Sequence, residues 1–486
     1  MDAVNEWLLA WGDRLWTWIV LPLVVALGVY FTVRSGVVQL RLLPEMFRTL
    51  LDRTPTTESG EPQSVSSFQA FTISAASRVG VGNIAGVGTA IAVGGPGAVF
   101  WMWLMAFIGG ASSFIESSLA QLYKTRDEDG FRGGPAYYMQ RGLGARWMGV
   151  LFAIILIVCF PLAFSSLQAN TIQATVAGSF QDASLAWLPW VIGAVLAALM
   201  GLVIFGGVRR IASVTQTLVP LMALLYLLLG LVIVAMHIDR LPHVFATIFS
   251  QAFGPNQVVG AAFGYIVLTG IKRGMFSNEA GLGSAPNAGA SAAVTHPVKQ
   301  GLVQSLGVYF DTFLVCSITA FIVLVSVPDL ASAERGIMLT QTAVTGTLGG
   351  WSNIVLMVII FLLAFSSILG NYYYGESNVE FITGNRGVLL GYRVFAILAV
   401  FVGSVLSADV VWNFADGAMG FMAIVNLIAI ALLSGVAFKL LRDYTAQRKE
   451  GRDPVFTKDR IPGLRGVEVW EDELSVTGPA SAKQGR

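Results

Sequence analysis

The sequence predicts an all-α membrane protein of eleven transmembrane helices: a five-plus-five inverted repeat with one extra N-terminal helix and two interrupted helices. Three observations carry that prediction. First, 55% of the 486 residues are hydrophobic and only 12% are charged, against about 25% charged in a soluble domain. Mean hydropathy is +0.70. No soluble core encloses so much apolar side chain, so lipid is the natural solvent. Second, apolar runs long enough for a bilayer recur along the whole chain. Third, two of those runs, five spans apart, are interrupted by glycines and polar residues.

The elements follow in order. Spans are expected at about 16–33, 67–93, 97–123, 147–177, 187–206, 212–236, 257–288, 301–327, 351–376, 388–407 and 411–438, each matched to a hydrocarbon core about 30 Å thick. The first run follows Asp13 and Arg14 without a basic leader or a small-residue cleavage site, so it reads as a retained helix. Alternate connections hold fourteen lysines and arginines (Arg34 to Arg53, Lys124 to Arg146, Arg209, Arg210, Lys299, Arg386 and Arg393), against Arg14, Arg240 and Arg335 on the other side. The positive side faces the cytoplasm, which places the N-terminus outside and the C-terminus inside the plasma membrane. Spans two to six and seven to eleven make two groups of five, each opened by a broken span. An odd group size forces the second group to insert upside down. The chain then divides into an extra helix with its connection (1–66), a first repeat (67–240), an inverted second repeat (241–440) and a charged cytoplasmic tail (441–486), whose end, SVTGPASAKQGR, reads as disordered and solvated.

The broken spans carry the functional argument. ASRVGVGNIAGVGTA, residues 76–90, sets Arg78, Asn83 and four glycines in an otherwise buried run; GIKRGMFSNEAGLGSAPNAGA, residues 270–290, is its counterpart. An unwound helix frees N–H groups on one half and carbonyls on the other, which survive in lipid only where they line a cavity or hold a ligand. Free N–H groups suit a carboxylate, and free carbonyls suit Na⁺ or an ammonium. Gly86 and Gly88 read as helix packing, while Gly80 and Gly82, beside Arg78 and Asn83, read as ligand contacts. Lys272 and Arg273 read equally as ligand contacts or as a cytoplasmic gate closed by acids. Glu116, Asp311, Glu376 and Asp416 need partners in lipid, Glu116 by facing Arg78 or the cytoplasmic mouth and Asp311 on the cavity side of span eight. Cys159 and Cys316 read as small buried hydrophobes. A net charge of +1 gives no reason to expect a nucleic-acid partner. The sequence shows no filter-like repeat of a channel and no nucleophile–base pair or metal cluster of a membrane-embedded enzyme.

GGPGAVFWMWLMAFIG, residues 94–109, resembles the signature of the alanine/glycine:cation symporters, also called the sodium:alanine symporter family. GNIAGVGTA, FRGGPAYYM, KRGMFSNEAGLGSAP and YYYGE extend the likeness over about Trp7 to Asp443. The resemblance implies a leucine-transporter-like fold and Na⁺-driven uptake of a small neutral amino acid, alanine or glycine. It implies a sodium cage between spans two and nine, made of the carbonyls of Ala76, Val79 and Leu363 and the hydroxyls of Ser366 and Ser367. The plain alternative is that both serines bond only to their own helix. For the substrate it implies the N–H groups of Gly80, Gly82 and Asn83 on the carboxylate, with Gln168, Ser277, Asn278, Ser367 and Asn371 around it. Asn371 departs from the tryptophan frequent in the family, which enlarges the expected pocket and admits glutamine as an alternative cargo, unless Tyr372 or Tyr373 fills the space. Proton coupling is the nearest rival mechanism and a channel the remote one. The partners expected are the amino acid and the bilayer; the oligomeric state is open, a monomer being one reading.

Overall fold

The computed structural model describes residues 2–127, 130–180, 186–253, 261–327, 330 and 335–478. Among them, eight helices are long and apolar enough to cross a membrane, or nine if one bent pair counts as a single span. We label the main helices in chain order: α1 (Leu9–Arg34), α2 (Ser67–Arg78), α3 (Gly82–Gly94), α4 (Gly97–Leu122), α5 (Arg146–Ser179), α6 (Leu188–Ile204), α7 (Gly207–Met236), α8 (Ala261–Asn278), α9 (Ala285–Ser291), α10 (Pro297–Ser326), α11 (Ser352–Ile382), α12 (Arg386–Gly403) and α13 (Asp409–Lys449). The eight are α1, α4, α5, α7, α10, α11, α12 and α13, and the bent pair is α2 with α3. The count of eleven is reached only by adding α6, at 17 residues, and the pair α8 and α9. The expected start of span seven, 257–260, lies outside the described residues.

Helices dominate because every backbone group of a lipid-exposed segment must be satisfied within that segment. The 26 residues of α4 reach about 39 Å at 1.5 Å per residue. Burial sorts the helices into centre and rim. The best apolar window of α4 is 72% buried and that of α10 67%, against 28% for α12 and 33% for α1. The two interrupted rods are walled by α4, α10 and α11. α1 starts earlier than its hydropathy suggests and is tied to α13 by Trp16, whose indole N–H donates to the Asp416 carbonyl at 2.8 Å.

Local chemistry sets the ends of these helices. At α2, Ser66 Oγ accepts from the Gln69 N–H at 3.1 Å while Gln69 Oε1 accepts from the Ser66 N–H at 3.0 Å, a reciprocal cap. Asn385 caps α12 through the Gly387 N–H, and His296 Nδ1 caps α10 through the Val298 N–H. A two-stranded antiparallel hairpin, Thr125–Asp127 with Gly130–Arg132, follows α4.

The tail differs from its expected solvated state. α13 continues to Lys449, and the chain beyond it packs back across the end of the bundle where α4 stops and α10 begins. Phe456 and Trp470 are buried, and the Trp470 indole donates to the Gln121 carbonyl at 3.1 Å. Lys124 lies 3.9 Å from the centre of the Phe131 ring and 4.8 Å from that of Trp470. Asp453 binds Lys299 at 2.9 Å, and Glu473–Thr477 forms a short helix. Aromatic anchors and paired charges, spaced too irregularly to show a period, hold this segment. Residues 479–486 of the segment read as disordered lie outside the described residues.

Candidate functional site

Helix α2 stops where Val79 takes ψ 85°, which turns its carbonyl off the helical direction. The chain resumes as α3 at Gly82, bent by 50°. The opening of α3 is a wide turn over Gly82–Gly86. Helix α8 ends at Asn278, and three residues of positive φ follow within five: Glu279 at 57°, Gly281 at 82° and Gly283 at 81°. Glycine adopts this region freely, whereas Glu279 costs on the order of 1–3 kcal/mol. Two hydrogen bonds hold Glu279 there: Ser77 Oγ donates to Oε1 and Ser284 Oγ to Oε2, both at 2.6 Å.

The five expected sodium ligands lie on α2, the turn after it and α11. Ser367 Oγ donates to the Ala76 carbonyl at 2.8 Å and reaches the Leu363 carbonyl at 3.0 Å. The bond to Ala76 crosses between helices, so Ser367 does more than bond its own helix. Ser366 Oγ donates to the Leu363 carbonyl at 2.9 Å and contacts Met222 Sδ at 3.1 Å, a local arrangement. Val79 is fully buried beside them. Ala76, Leu363, Ser366 and Ser367 are thus joined by direct bonds, while Val79 is placed only by its backbone turn.

Two of the three expected carboxylate donors, the N–H groups of Gly80 and Asn83, are occupied in this conformation. The Gly80 N–H donates to Asn83 Oδ1 at 2.8 Å, and the Asn83 N–H to the Gly80 carbonyl at 3.2 Å. The Val81 N–H, which the sequence did not single out, donates to Gln168 Oε1 at 3.0 Å. A Cβ on Gly80 would sit 2.2 Å from Ser367 Oγ, and one on Gly82 2.9 Å from the Phe276 ring. Space at both glycines is already taken by α11 and α8. Asn83 also donates to Asp311 Oδ1 at 2.6 Å, which gives Asp311 its partner. Ser277 Oγ meets Cys316 Sγ at 3.1 Å, and Asn278 Nδ2 donates to Thr312 Oγ1 at 3.1 Å. Both residues therefore face α10 in this conformation.

Asn371 does not enlarge a pocket here. Its Oδ1, 2.7 Å from Ser77 Oγ, shares the single Ser77 hydroxyl proton with Glu279, and its Nδ2 reaches Ser165 Oγ at 3.4 Å. Tyr372 does not fill the space either, because its hydroxyl donates to Glu376 and its ring stacks on Tyr392. Arg78 makes no ion pair within 4 Å among the described residues. Its Nη1 donates to the Gln304 carbonyl at 3.0 Å and its Nη2 to Ser113 Oγ at 3.4 Å. Glu116 faces the second break instead, accepting from the Gly281 N–H at 3.2 Å and from Asn426 Nδ2 at 2.8 Å.

Lys272 and Arg273 are paired to acids, at the end of the bundle opposite to the one expected. Gly270 abuts the Ala98 carbonyl at the start of α4, so this end is the far one from Lys124 and Lys299. Lys272 Nζ lies 2.9 Å from Asp416 Oδ2 and 3.3 Å from Asp13; Arg273 also pairs with Asp416. Below that cluster lies an aromatic stack. Phe160 and Phe164 are 4.6 Å apart between ring centres, Phe164 and Phe276 4.5 Å, and Phe276 and Trp412 4.9 Å. A cleft of about 430 Å³ above it is lined by Arg273, Trp412 and Asp416, and one of about 800 Å³ at the other end by Arg132, Glu376 and Glu380. Neither cleft is lined by Gly80, Gly82, Gln168 or Ser367. At the end with the larger cleft, Arg132 is paired with Asp127 at 2.6 Å and with Glu380. The arrangement is a polar centre of freed backbone groups that lines neither cleft.

The profile of the sodium:alanine symporter family matches residues 1–458. The chain is 51% identical over 462 residues to the amino-acid carrier protein AlsT of Bacillus subtilis, covering 95% of this chain and 97% of that one. It is 46% identical over 459 residues to the probable sodium/glutamine symporter GlnT of the same organism, covering 94% of each. Among solved structures, MhsT in complex with L-phenylalanine superposes with a TM-score of 0.55 at 13% identity, over 89% of this chain and 98% of that one, which shows a shared fold. A multi-pass membrane chain with two unwound rods at its centre, matched over residues 1–458 by a family of transporters rather than enzymes, belongs to the sodium:alanine symporter family.

Proposed function

We propose that this chain carries a small neutral amino acid, alanine or glycine, into the cell together with Na⁺ by alternating access, through eleven spans arranged as a five-plus-five inverted repeat with the N-terminus outside. The observation that carries the reading is the bond from Ser367 to the Ala76 carbonyl, one turn before the first break. It gathers main-chain and hydroxyl oxygens of α2 and α11 at one point. Ala76, Val79 and Leu363 offer carbonyls, and Ser366 and Ser367 offer hydroxyls; a hard cation takes such neutral oxygens readily. Sodium arriving there satisfies the Ala76 and Leu363 carbonyls that the Ser367 proton now serves, and so fixes α2 against α11.

The substrate carboxylate belongs at the start of α3, where N–H groups point out of the helix and its positive end favours an anion. Asn83 and Gln168 hold the Gly80 and Val81 donors until the carboxylate replaces them. Ser277 and Asn278 approach from the second rod, and the Phe276 ring covers Gly82. The Lys272–Asp416–Arg273 cluster and the aromatic stack form the outer gate, and Arg132 with Asp127 and Glu380 the inner one. Each ligand strengthens the other's binding because both favour the state in which α2 is clamped.

A second reading, glutamine as cargo, has one observation in its favour. Asn371 lies one turn from Ser367 and offers a primary amide, bonded to Ser77 and Ser165, for a side-chain amide to exchange with. Uptake of labelled alanine into proteoliposomes, with Na⁺ or choline at fixed pH and a panel of competing amino acids, separates the readings. Equal rates in Na⁺ and choline reject sodium coupling, and stronger competition by glutamine than by alanine rejects the small-cargo reading. Ser367→Ala is expected to lose the sodium response while the protein remains folded.

A further inference from the structure

The cations at the Leu122 end of the bundle are mostly paired: Arg48 with Glu45, Lys299 with Asp52, and Arg393 with Glu376. One cleft breaks that pattern. It lies between the end of α1 and the last turns of α13, has a volume of about 450 Å³, and is lined by Arg34, Arg41, Arg442 and Lys449 with no aspartate or glutamate. Arg442 and Lys449 are exposed and have no hydrogen bond or ion pair among the described residues. Arg34 lies over the Phe438 ring at 5.7 Å. Arg41 is held in place by a 3.1 Å bond from its Nη2 to the Ser35 carbonyl, across a turn in which Gly36 has φ 65° and Val37 φ 52°.

The same cleft continues into an apolar surface. One exposed face of α13 runs through Ile428, Leu432, Gly435, Lys439, Arg442 and Lys449, at the three- and four-residue spacing of a single helical face. It changes from apolar to basic after Gly435. Leu432 and, on α1, Val33 are each 68% exposed. Charge without counter-charge, set directly at the edge of a lipid-facing surface, has a definite complement: a phosphodiester for the cations and acyl chains for the apolar wall. Guanidinium groups match the two free oxygens of a phosphodiester, and a basic pocket between helices at the membrane boundary is how such headgroups are held. We infer that the cleft between α1 and α13 binds an anionic phospholipid, with Arg34, Arg41, Arg442 and Lys449 on the headgroup phosphate. This lipid seats the extra helix α1, which stands outside the two five-helix groups, against α13.

The test is native mass spectrometry of the full-length protein released from detergent, titrated with phosphatidylglycerol or with phosphatidylcholine. The inference expects one phosphatidylglycerol retained in preference to phosphatidylcholine, and at least a tenfold weaker retention in R34Q/R41Q/R442Q/K449Q than in the wild type. The charge-conserving R34K/R41K/R442K variant should keep most of it. If the quadruple variant does not fold, the single R442Q decides, with about threefold weaker retention expected. Equal retention of both lipids, or unchanged retention in the variants, overturns the inference. Displacement of the lipid by millimolar inorganic phosphate also overturns it, because a soluble anion would then suffice.

Discussion

The two interrupted rods break in different ways, and the difference separates moving parts from fixed ones. The first break needs no positive φ: Val79 turns off the helix, and the side chains of Asn83 and Gln168 take up the freed donors of Gly80 and Val81. At the second break Glu279, Gly281 and Gly283 all lie at positive φ, and buried carboxylates bind the exposed groups, with Glu116 on the Gly281 N–H and Glu279 between Ser77 and Ser284. Side-chain amides exchange with an incoming ligand at little cost, whereas a carboxyl group bonded on both oxygens in a dry interior has no water to turn to. The first break is built to trade partners and the second to keep them.

The sharpest way to break this contrast is to add one methyl group to each. Gly283→Ala is expected to cost the fold the most, about 2–5 kcal/mol, from a strained φ together with a Cβ placed 2.8 Å from Asn426 and Pro135. A lowered melting midpoint in detergent reads it out. Gly80→Ala, whose φ is unstrained and whose Cβ meets a hydroxyl that can rotate, should lower the melting midpoint less than Gly283→Ala and lower sodium-driven uptake by roughly 10- to 100-fold, the equivalent of about 1.4–2.8 kcal/mol. If Gly80→Ala unfolds the protein while Gly283→Ala does not, the assignment of moving and fixed breaks is reversed.

A permanent acceptor at the first break sharpens the comparison further. Gln168→Glu keeps an oxygen on the Val81 N–H but adds the charge of a carboxylate, so substrate is repelled; KM is expected to rise about tenfold. Normal KM in this variant would place the substrate carboxylate elsewhere.

A smaller effect comes from the anchoring of the second rod's connection to α10. Burial pushes the His296 imidazole down to about 4, against the attraction of Asp443, with Lys299 and Arg460 also opposing protonation. The unfolded chain binds a proton near pH 6.5 and the folded chain does not, so stability is present above that pH and falls as the pH drops towards 4. Between pH 6.5 and 5.5 the loss is about 1 kcal/mol. His296→Asn, which keeps an acceptor for the Val298 N–H, should flatten the dependence of the melting midpoint on pH. The smallest effect is expected at Asn371: Asn371→Leu should leave the ratio of alanine to glutamine competition within about twofold, roughly 0.4 kcal/mol, and a selective loss of glutamine competition would favour the second cargo.

Much of the site was legible because its signals are local. Gly80, Gly82 and Asn83 stand out in an apolar run, and Ser367, which a family likeness set in register with Ala76, donates to the Ala76 carbonyl. The partner of Gln168 was not legible, because only the fold brings residue 168 to the Val81 N–H. Nor was the pairing of Lys272 and Arg273 with Asp416, at the end of the bundle opposite to the one expected. The tail misled for a related reason: Trp470 and Phe456 are isolated anchors among polar residues, and their burial depends on a surface made by α4, α10 and the hairpin.

By itself the sequence determined the solvent, the interruption of two rods and the family, since composition, glycine placement and contiguous motifs survive being read along a line. The tertiary structure decided which acceptors sit on the freed donors of Gly80 and Val81, which acid pairs with Lys272 and Arg273, and what the tail covers. Those choices are contacts between residues up to hundreds of positions apart, and their energies arise only when helices already stable on their own come within hydrogen-bonding distance of one another.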